Sequence, residues 1–246
     1  MLDTHCHVDL YKQPERLLAE ITAEGLTVIA VTNLASHYEM GIPYVRHLKR
    51  VRLAAGLHPL LVDQHTRQEL SLFARVVKDT SYVGEVGLDG SAQGRGSLAC
   101  QRESFRFVLS HLQDRPRFVT LHSRGAEEEV GDTLMEFGVR GAVFHWFTGR
   151  AALATRLASE GHRFSVNPAM LRTRSGQALL ERLPPEAVLT ESDGPHVRVS
   201  GRPAHPRDVR EVVDRLGIVW GTSSGEAVAQ VKQNFHDLLR TISLKS

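Results

Sequence analysis

Short apolar, β-branched runs recur along the chain and alternate with amphipathic stretches. The runs are Leu2–His7, Leu26–Thr32, Val51–Leu57, Tyr82–Val86, Phe118–Leu121, Ala142–His145, His162–Val166 and Ala187–Thr190. Apolar runs of this length read as strands. Between them, Pro14–Glu24 opens on a proline and stops at Gly25, the order in which helices begin and end. Glu69–Lys78, Leu98–Gln113, Glu127–Phe137 and Ala151–Glu160 read as helices in the same way. The strand starts fall about 22 to 36 residues apart, one βα unit each. Eight such units in 246 residues predict an α/β protein, a (β/α)8 TIM barrel forming a single domain over residues 1–246. The rival is a doubly wound sheet, which usually carries a Gly-rich phosphate loop after its first strand. Here that strand ends in His5-Cys6-His7 instead. After Asp193 the chain adds helices over Arg207–Leu216 and Ser223–Ile242, the second opening on the capping box Ser223-x-x-Glu226.

Composition narrows the class. With 41% hydrophobic and 24% charged residues, the chain is neither disordered nor a disulfide scaffold. Its net charge of +2 means that any affinity for a polyanion must come from local clusters. The basic run Arg46–Arg52 passes from a helix into a strand, which in a barrel is the face away from the active site, and reads as a solvated surface. Two cysteines, Cys6 and Cys100, form no zinc pattern and suit a reducing, cytoplasmic setting. No apolar run is long enough for a transmembrane helix, and the first residues read as fold rather than as a signal peptide. The unusual number is 13 histidines, against 9 phenylalanines and 4 tyrosines.

These histidines gather at strand ends. His5 and His7 are two apart on a strand and share one side, with Asp3, while Leu2, Thr4, Cys6 and Val8 take the other. Later strands end in Glu85, His122, His145 and Asp193, and His58 follows the third. A barrel delivers all of these to its C-terminal face, where barrel enzymes place their sites. Mixed imidazole and carboxylate suits Zn, Mn, Fe or Co rather than an oxygen cage for Ca. Six candidates exceed one closed tetrahedral zinc and suit two divalent ions sharing a carboxylate.

The ordered motifs resemble those of the TatD family of metal-dependent deoxyribonucleases. They are His5-Cys6-His7-Val8-Asp9, Gly56-Leu57-His58-Pro59, Gly84-Glu85-Val86-Gly87-Leu88-Asp89, Leu121-His122-Ser123-Arg124, His145-Trp146-Phe147-Thr148-Gly149 and Glu191-Ser192-Asp193-Gly194-Pro195. Arg202-Pro203 and Asn234 resemble the family's ending. The resemblance implies a TIM barrel with two divalent ions (Mg, Mn or Zn). It places His5, His7 and Asp193 on one ion, His122 and His145 on the other, and Glu85 between them. Asp193 would be the general base, and His58 and Arg124 would bind the substrate phosphate. The implied activity is 3′ to 5′ cleavage of single-stranded DNA, with no membrane involved. The short length and the His-Cys-His-Val-Asp-Leu-Tyr start resemble most the TatD-like member of the Qat anti-phage system, which implies protein partners of a multi-gene defence system.

Some positions depart from the family. Gly90-Ser91-Ala92 stands where aromatic residues are usual, which removes a platform for stacking an unpaired base. Gly194 and His196 alter the surroundings of the last motif. Gln93–Ser97 is Gly-rich without the Gly-Lys-Ser/Thr ending of a phosphate loop, and reads as flexible. Arg95, Arg124, Arg172, Arg174, Arg198 and Arg202 fall in loops after strands and are expected around the mouth. Two other readings remain: a metal-dependent amidohydrolase-type barrel acting on a small molecule, and a partner-dependent subunit of a defence complex. Many such amidohydrolases bridge their metals with a modified lysine at the fourth strand, where this chain has Glu85.

Overall fold

The computed structural model describes residues 1–242. Eight parallel strands follow one another around a barrel: β1 (Leu2–Cys6), β2 (Thr27–Val31), β3 (Val51–Leu57), β4 (Tyr82–Gly87), β5 (Phe118–His122), β6 (Val143–His145), β7 (Arg163–Val166) and β8 (Val188–Thr190). Each lies within about a residue of its expected position. The seam between β8 and β1 is held by side chains as well as backbone. Thr4 Oγ1 donates to Thr190 O at 3.0 Å, and Thr190 Oγ1 donates to Leu2 O at 2.5 Å. A two-stranded hairpin, β9 (Arg198–Val199) and β10 (Arg202–Pro203), follows β8.

The helices are α1 (Pro14–Ala23), α2 (Ala35–Val45), α3 (Arg67–Val76), α4 (Leu98–Ser110), α5 (Glu127–Glu136), α6 (Ala151–Ser159), α7 (Arg174–Arg182), α8 (Val209–Trp220) and α9 (Ser224–Arg240). The capping box of α9 forms as expected: Glu226 N donates to Ser223 Oγ at 3.2 Å, and Ser223 N to Glu226 Oε2 at 2.9 Å. Helix α7 is an addition to the sequence reading, and the helix expected ahead of Arg46 without stated bounds is α2, which ends at Val45. Their patterns are masked by Gly41 and Pro43 inside α2, and by Ser175 and Gly176 in the first turn of α7. Helix α3 starts two residues early because the Thr66 hydroxyl accepts from Glu69 N.

Gln93–Ser97 is tied down rather than loose. Gly94 N and Arg95 N donate to Ser91 O, and the Gln101 amide donates to Gly94 O at 2.8 Å. The segment ends in a single 3-10 turn over Arg95–Ser97.

Most of the core is one apolar cluster between the strands and helices α2 to α9. A second cluster joins Cys6, Val28, Ala30 and Leu53 to Leu17, Leu18 and Ile21 of α1. Cys6 therefore faces the helix layer, which turns its neighbours His5 and His7 to the opposite side. Among the described residues, no helix is long and apolar enough to cross a membrane.

Candidate metal centre

At the mouth of the barrel, Glu85 stands among the imidazoles of three other strands and of the His58 loop. Its Oε2 lies 3.4 Å from His5 Nε2 and 3.2 Å from His7 Nε2. Its Oε1 lies 2.7 Å from His122 Nδ1, 2.9 Å from His145 Nε2 and 3.4 Å from His58 Nε2. Asp193 Oδ1 is 3.7 Å from His7 Nε2 and 4.0 Å from His5 Nε2. Burial pushes the Glu85 carboxyl up, but the imidazoles of His58, His145 and His5 outweigh it and hold it well below the usual carboxylate range. Burial, with Glu191 and Glu85 nearby, raises Asp193 well above its usual value.

These residues fit divalent ions. His5 Nε2 and Asp193 Oδ1 are buried without a hydrogen-bond partner. Such atoms are costly unless something satisfies them, and a cation satisfies both kinds of donor atom. His5, His7 and Asp193 bring ligand atoms within 4.8 Å of one another, as do His58, Glu85 and His122, and His5, His145 and Glu191. The first group is the set that the family resemblance implies for one ion. For the other, the structure brings His122 and His145 to the same Glu85 oxygen and adds His58 close by.

Hydrogen bonds distinguish the imidazoles. Leu60 N donates to His58 Nδ1 at 3.1 Å, so in the neutral ring Nε2 carries the hydrogen and offers no lone pair to a metal. That tautomer suits a donor to phosphate, the role expected for His58. His5 Nδ1 lies 2.8 Å from Thr120 Oγ1, and its Nε2 is free to be a ligand. His122 Nε2 lies 2.7 Å from Asp89 Oδ2, leaving Nδ1 toward Glu85. Carboxylate partners of this kind fix the orientation of metal-binding histidines.

Asp89, Glu191, Asp3 and Thr120 are supporting residues to which sequence reading gave no such role. Glu191 is fully buried. It accepts from Trp146 N at 3.0 Å, from the Asn167 amide at 2.9 Å and from the Ser165 hydroxyl, and stands 3.6 Å from His145 Nδ1. Asp3 accepts from His5 N and Ser192 N at 3.1 and 3.0 Å, and from the Ser192 hydroxyl, which links β1 to the segment bearing Asp193. Burial raises the Asp3 carboxyl to about 7. A polar residue beside each ligand motif was the available signal, but which one faces the centre depends on the turn. Asp193 itself has φ 46°, and Trp146 has φ 36°.

A cleft of about 480 Å³ opens over the centre, lined by Leu60, Gln93, Arg124, Trp146, Thr148 and His196 as well as the histidines. Arg124 lies at this wall as expected. The other expected arginines divide. Arg172 turns away to Glu211 on α8, and Arg95 and Arg174 do not line the cleft. Arg198 and Arg202 line a neighbouring groove. Gly90 packs so closely on the β5 loop that a Cβ there would lie 2.3 Å from Gly125 O.

Comparison with known proteins bears on the family and the fold. The sequence profile described as TatD related DNase matches residues 2–240. A putative deoxyribonuclease, tatdn3, of Danio rerio is 27% identical over 258 residues, covering 95% of this chain and 94% of its own. An uncharacterized metal-dependent hydrolase of Methanocaldococcus jannaschii is 25% identical over 224 residues, covering 87% of each chain. The crystal structure of the TatD homologue YJJV from Escherichia coli superposes with a TM-score of 0.86 at 22% identity, covering 97% of both chains, and shows the same fold. With the profile match spanning nearly all of it, the chain belongs to the TatD family of metal-dependent hydrolases.

Proposed function

We propose that this chain hydrolyses phosphodiester bonds of single-stranded DNA from a 3′ end, using two divalent ions (Mg, Mn or Zn) at the barrel mouth. The observation that carries the reading is the division of Glu85, with Oε2 toward His5 and His7 and Oε1 toward His122 and His145. His5, His7 and Asp193 would hold one ion, His122 and His145 the other, with Glu85 shared. Ions bound there supply Lewis-acid stabilisation of phosphate charge and raise the acidity of water. The remaining steps belong to side chains. Asp193, turned toward His5 and His7, accepts the proton of the attacking water. His58 donates its Nε2 hydrogen to a phosphate oxygen. Arg124, exposed and without an ion-pair partner among the described residues, offers a planar fork to the same group. The deoxyribonuclease names of relatives support DNA as the substrate. Two additions complete the proposal: a cytoplasmic setting, which the two unpatterned cysteines suit, and, from the N-terminal motif, defence against phage DNA alongside protein partners.

The test is degradation of end-labelled single-stranded DNA by metal-stripped protein resupplied with Mn, Mg or Zn. Wild type should release label only with metal, and Glu85→Gln should not release it. Absence of cleavage with metal shown to bind by calorimetry, or full activity of Glu85→Gln, overturns the reading.

A further inference from the structure

Beside the cleft runs a second depression of about 860 Å³, with two walls from opposite ends of the chain. One wall is the segment from Leu10 to Glu20, which leaves β1 and enters α1. The other is the segment from Pro195 to Arg207, which follows β8 and carries the β9–β10 hairpin. The groove lies next to the metal centre along the chain. Pro195 is two residues beyond Asp193, so their Cα atoms lie within about 8 Å. Across the join, His7 N donates to Gly194 O at 2.8 Å, and the Tyr11 hydroxyl donates to Ala204 O.

The walls are rich in cations. Lys12, Arg16, Arg198, Arg202 and Arg207 line the groove and are exposed. Some are fixed by acids: Arg16 by Glu20, Arg202 by Asp208 through two hydrogen bonds, and Arg207 by Glu20 and Glu24. Those pairs hold the guanidinium groups in place. Five cations against three carboxylates leave an excess of two, equal to the net charge of the whole chain. Among the described residues, Lys12 on one wall and Arg198 on the other have no acidic partner; the Arg198 guanidinium donates to Gly201 O.

We infer that this groove is a binding site for the phosphodiester backbone of single-stranded DNA, holding the part of the strand that lies beyond the scissile bond. The inference rests on the nuclease reading and extends it from the reacting phosphate to the path of the strand. A cationic groove beside the metal-centre cleft is what a sequence-independent strand binder needs, since phosphate contacts supply most of such affinity. The cations that matter most are Lys12 and Arg198, because no carboxylate offsets them.

The experiment is fluorescence anisotropy of 5′-labelled single-stranded DNA of 4 and 16 nucleotides, in EDTA, at several salt concentrations. Wild type should bind the 16-mer at least tenfold more tightly than the 4-mer. The variant Lys12→Ala/Arg198→Ala should lose most of that length-dependent gain, and its salt slope should fall by about 1.4, or roughly 0.7 per phosphate contact on a single strand. Both positions are exposed, so folding is not at risk. Equal length dependence in wild type and variant overturns the groove. If wild type shows no length gain, the groove also fails, and cleavage of bis-p-nitrophenyl phosphate with Mn then decides the underlying reading. Cleavage keeps the phosphodiesterase and discards only the groove; no cleavage discards both.

Discussion

Asp89 Oδ2 lies 2.7 Å from Nε2 of His122, on the side of the ring away from Glu85. With Nε2 donating to Asp89, the neutral ring carries its lone pair on Nδ1, the atom turned toward Glu85 that a metal would take. Asp89 also accepts from Ser91 N through Oδ1, so its position is held independently of His122. Asp89→Asn should keep the fold and weaken divalent-metal binding by roughly 10- to 100-fold, the usual cost of losing a carboxylate behind a ligating histidine. Competition calorimetry with Mn or Zn checks this. Unchanged affinity would make Asp89 a loop residue only.

The strands were legible because each is a short apolar, β-branched run, and eight such runs at regular spacing give the barrel without further information. The candidate ligands were legible by position, since parallel strands carry their C-terminal ends to one face. What stayed hidden is lateral. Glu191 and Asp193 are two residues apart, yet one supports His145 and the other faces His7 across the centre, a choice made by the turn in which Asp193 takes φ 46°. The groove cations Lys12 and Arg198 are far apart in sequence and meet only because the barrel closes between β8 and β1. The extent of helix α2 was hidden by Pro43, which the helix tolerates near its end.

Trp146 is the aromatic residue on the cleft wall, on the strand-β6 side rather than after Asp89. Its backbone N–H is fixed by Glu191, and its φ of 36° is a conformation that side chains other than glycine seldom adopt. The ring is half-buried, leaving a face available for stacking. Trp146→Ala should raise KM for an oligonucleotide about tenfold, within the range for loss of one base–aromatic stack. Its effect on kcat should be smaller. Steady-state kinetics on a 16-mer separates the two parameters, and an unchanged KM would remove the ring from substrate binding.

Gly56 lets the end of β2 reach β4 across β3. Glu85 N donates to Thr32 O at 3.0 Å, and Thr32 N donates to Gly84 O at 3.2 Å. A Cβ on Gly56 would lie 1.6 Å from Thr32 O and 2.9 Å from Glu85 N. Both neighbours are backbone atoms of buried strands and cannot move aside cheaply. Gly56→Ala should therefore destabilise the fold by more than about 2 kcal/mol and displace Glu85. Urea unfolding measures the first effect and metal titration the second. Gly96→Ala, where a Cβ meets nothing within 4 Å, is the matched control and should change neither.

His162 gives the fold an acid sensitivity away from the metal centre. The residue is 3% exposed, its Nδ1 is buried without a partner, and its ring meets Phe144 edge-on at 5.6 Å. Burial lowers its pKa to about 4, whereas the unfolded chain takes up that proton near 6.5. Between these values the unfolded state binds more protons, so stability falls as pH falls. The contribution is fully present above pH 6.5 and is lost as the pH drops toward 4. From pH 7 to pH 4.5 the loss from this one group is about 2.5 kcal/mol. Urea unfolding of wild type and His162→Leu at the two pH values isolates it, because other histidines titrate in both proteins. Wild type should lose more stability than the variant over that interval. Equal losses would show that His162 takes up its proton at the same pH whether or not the chain is folded.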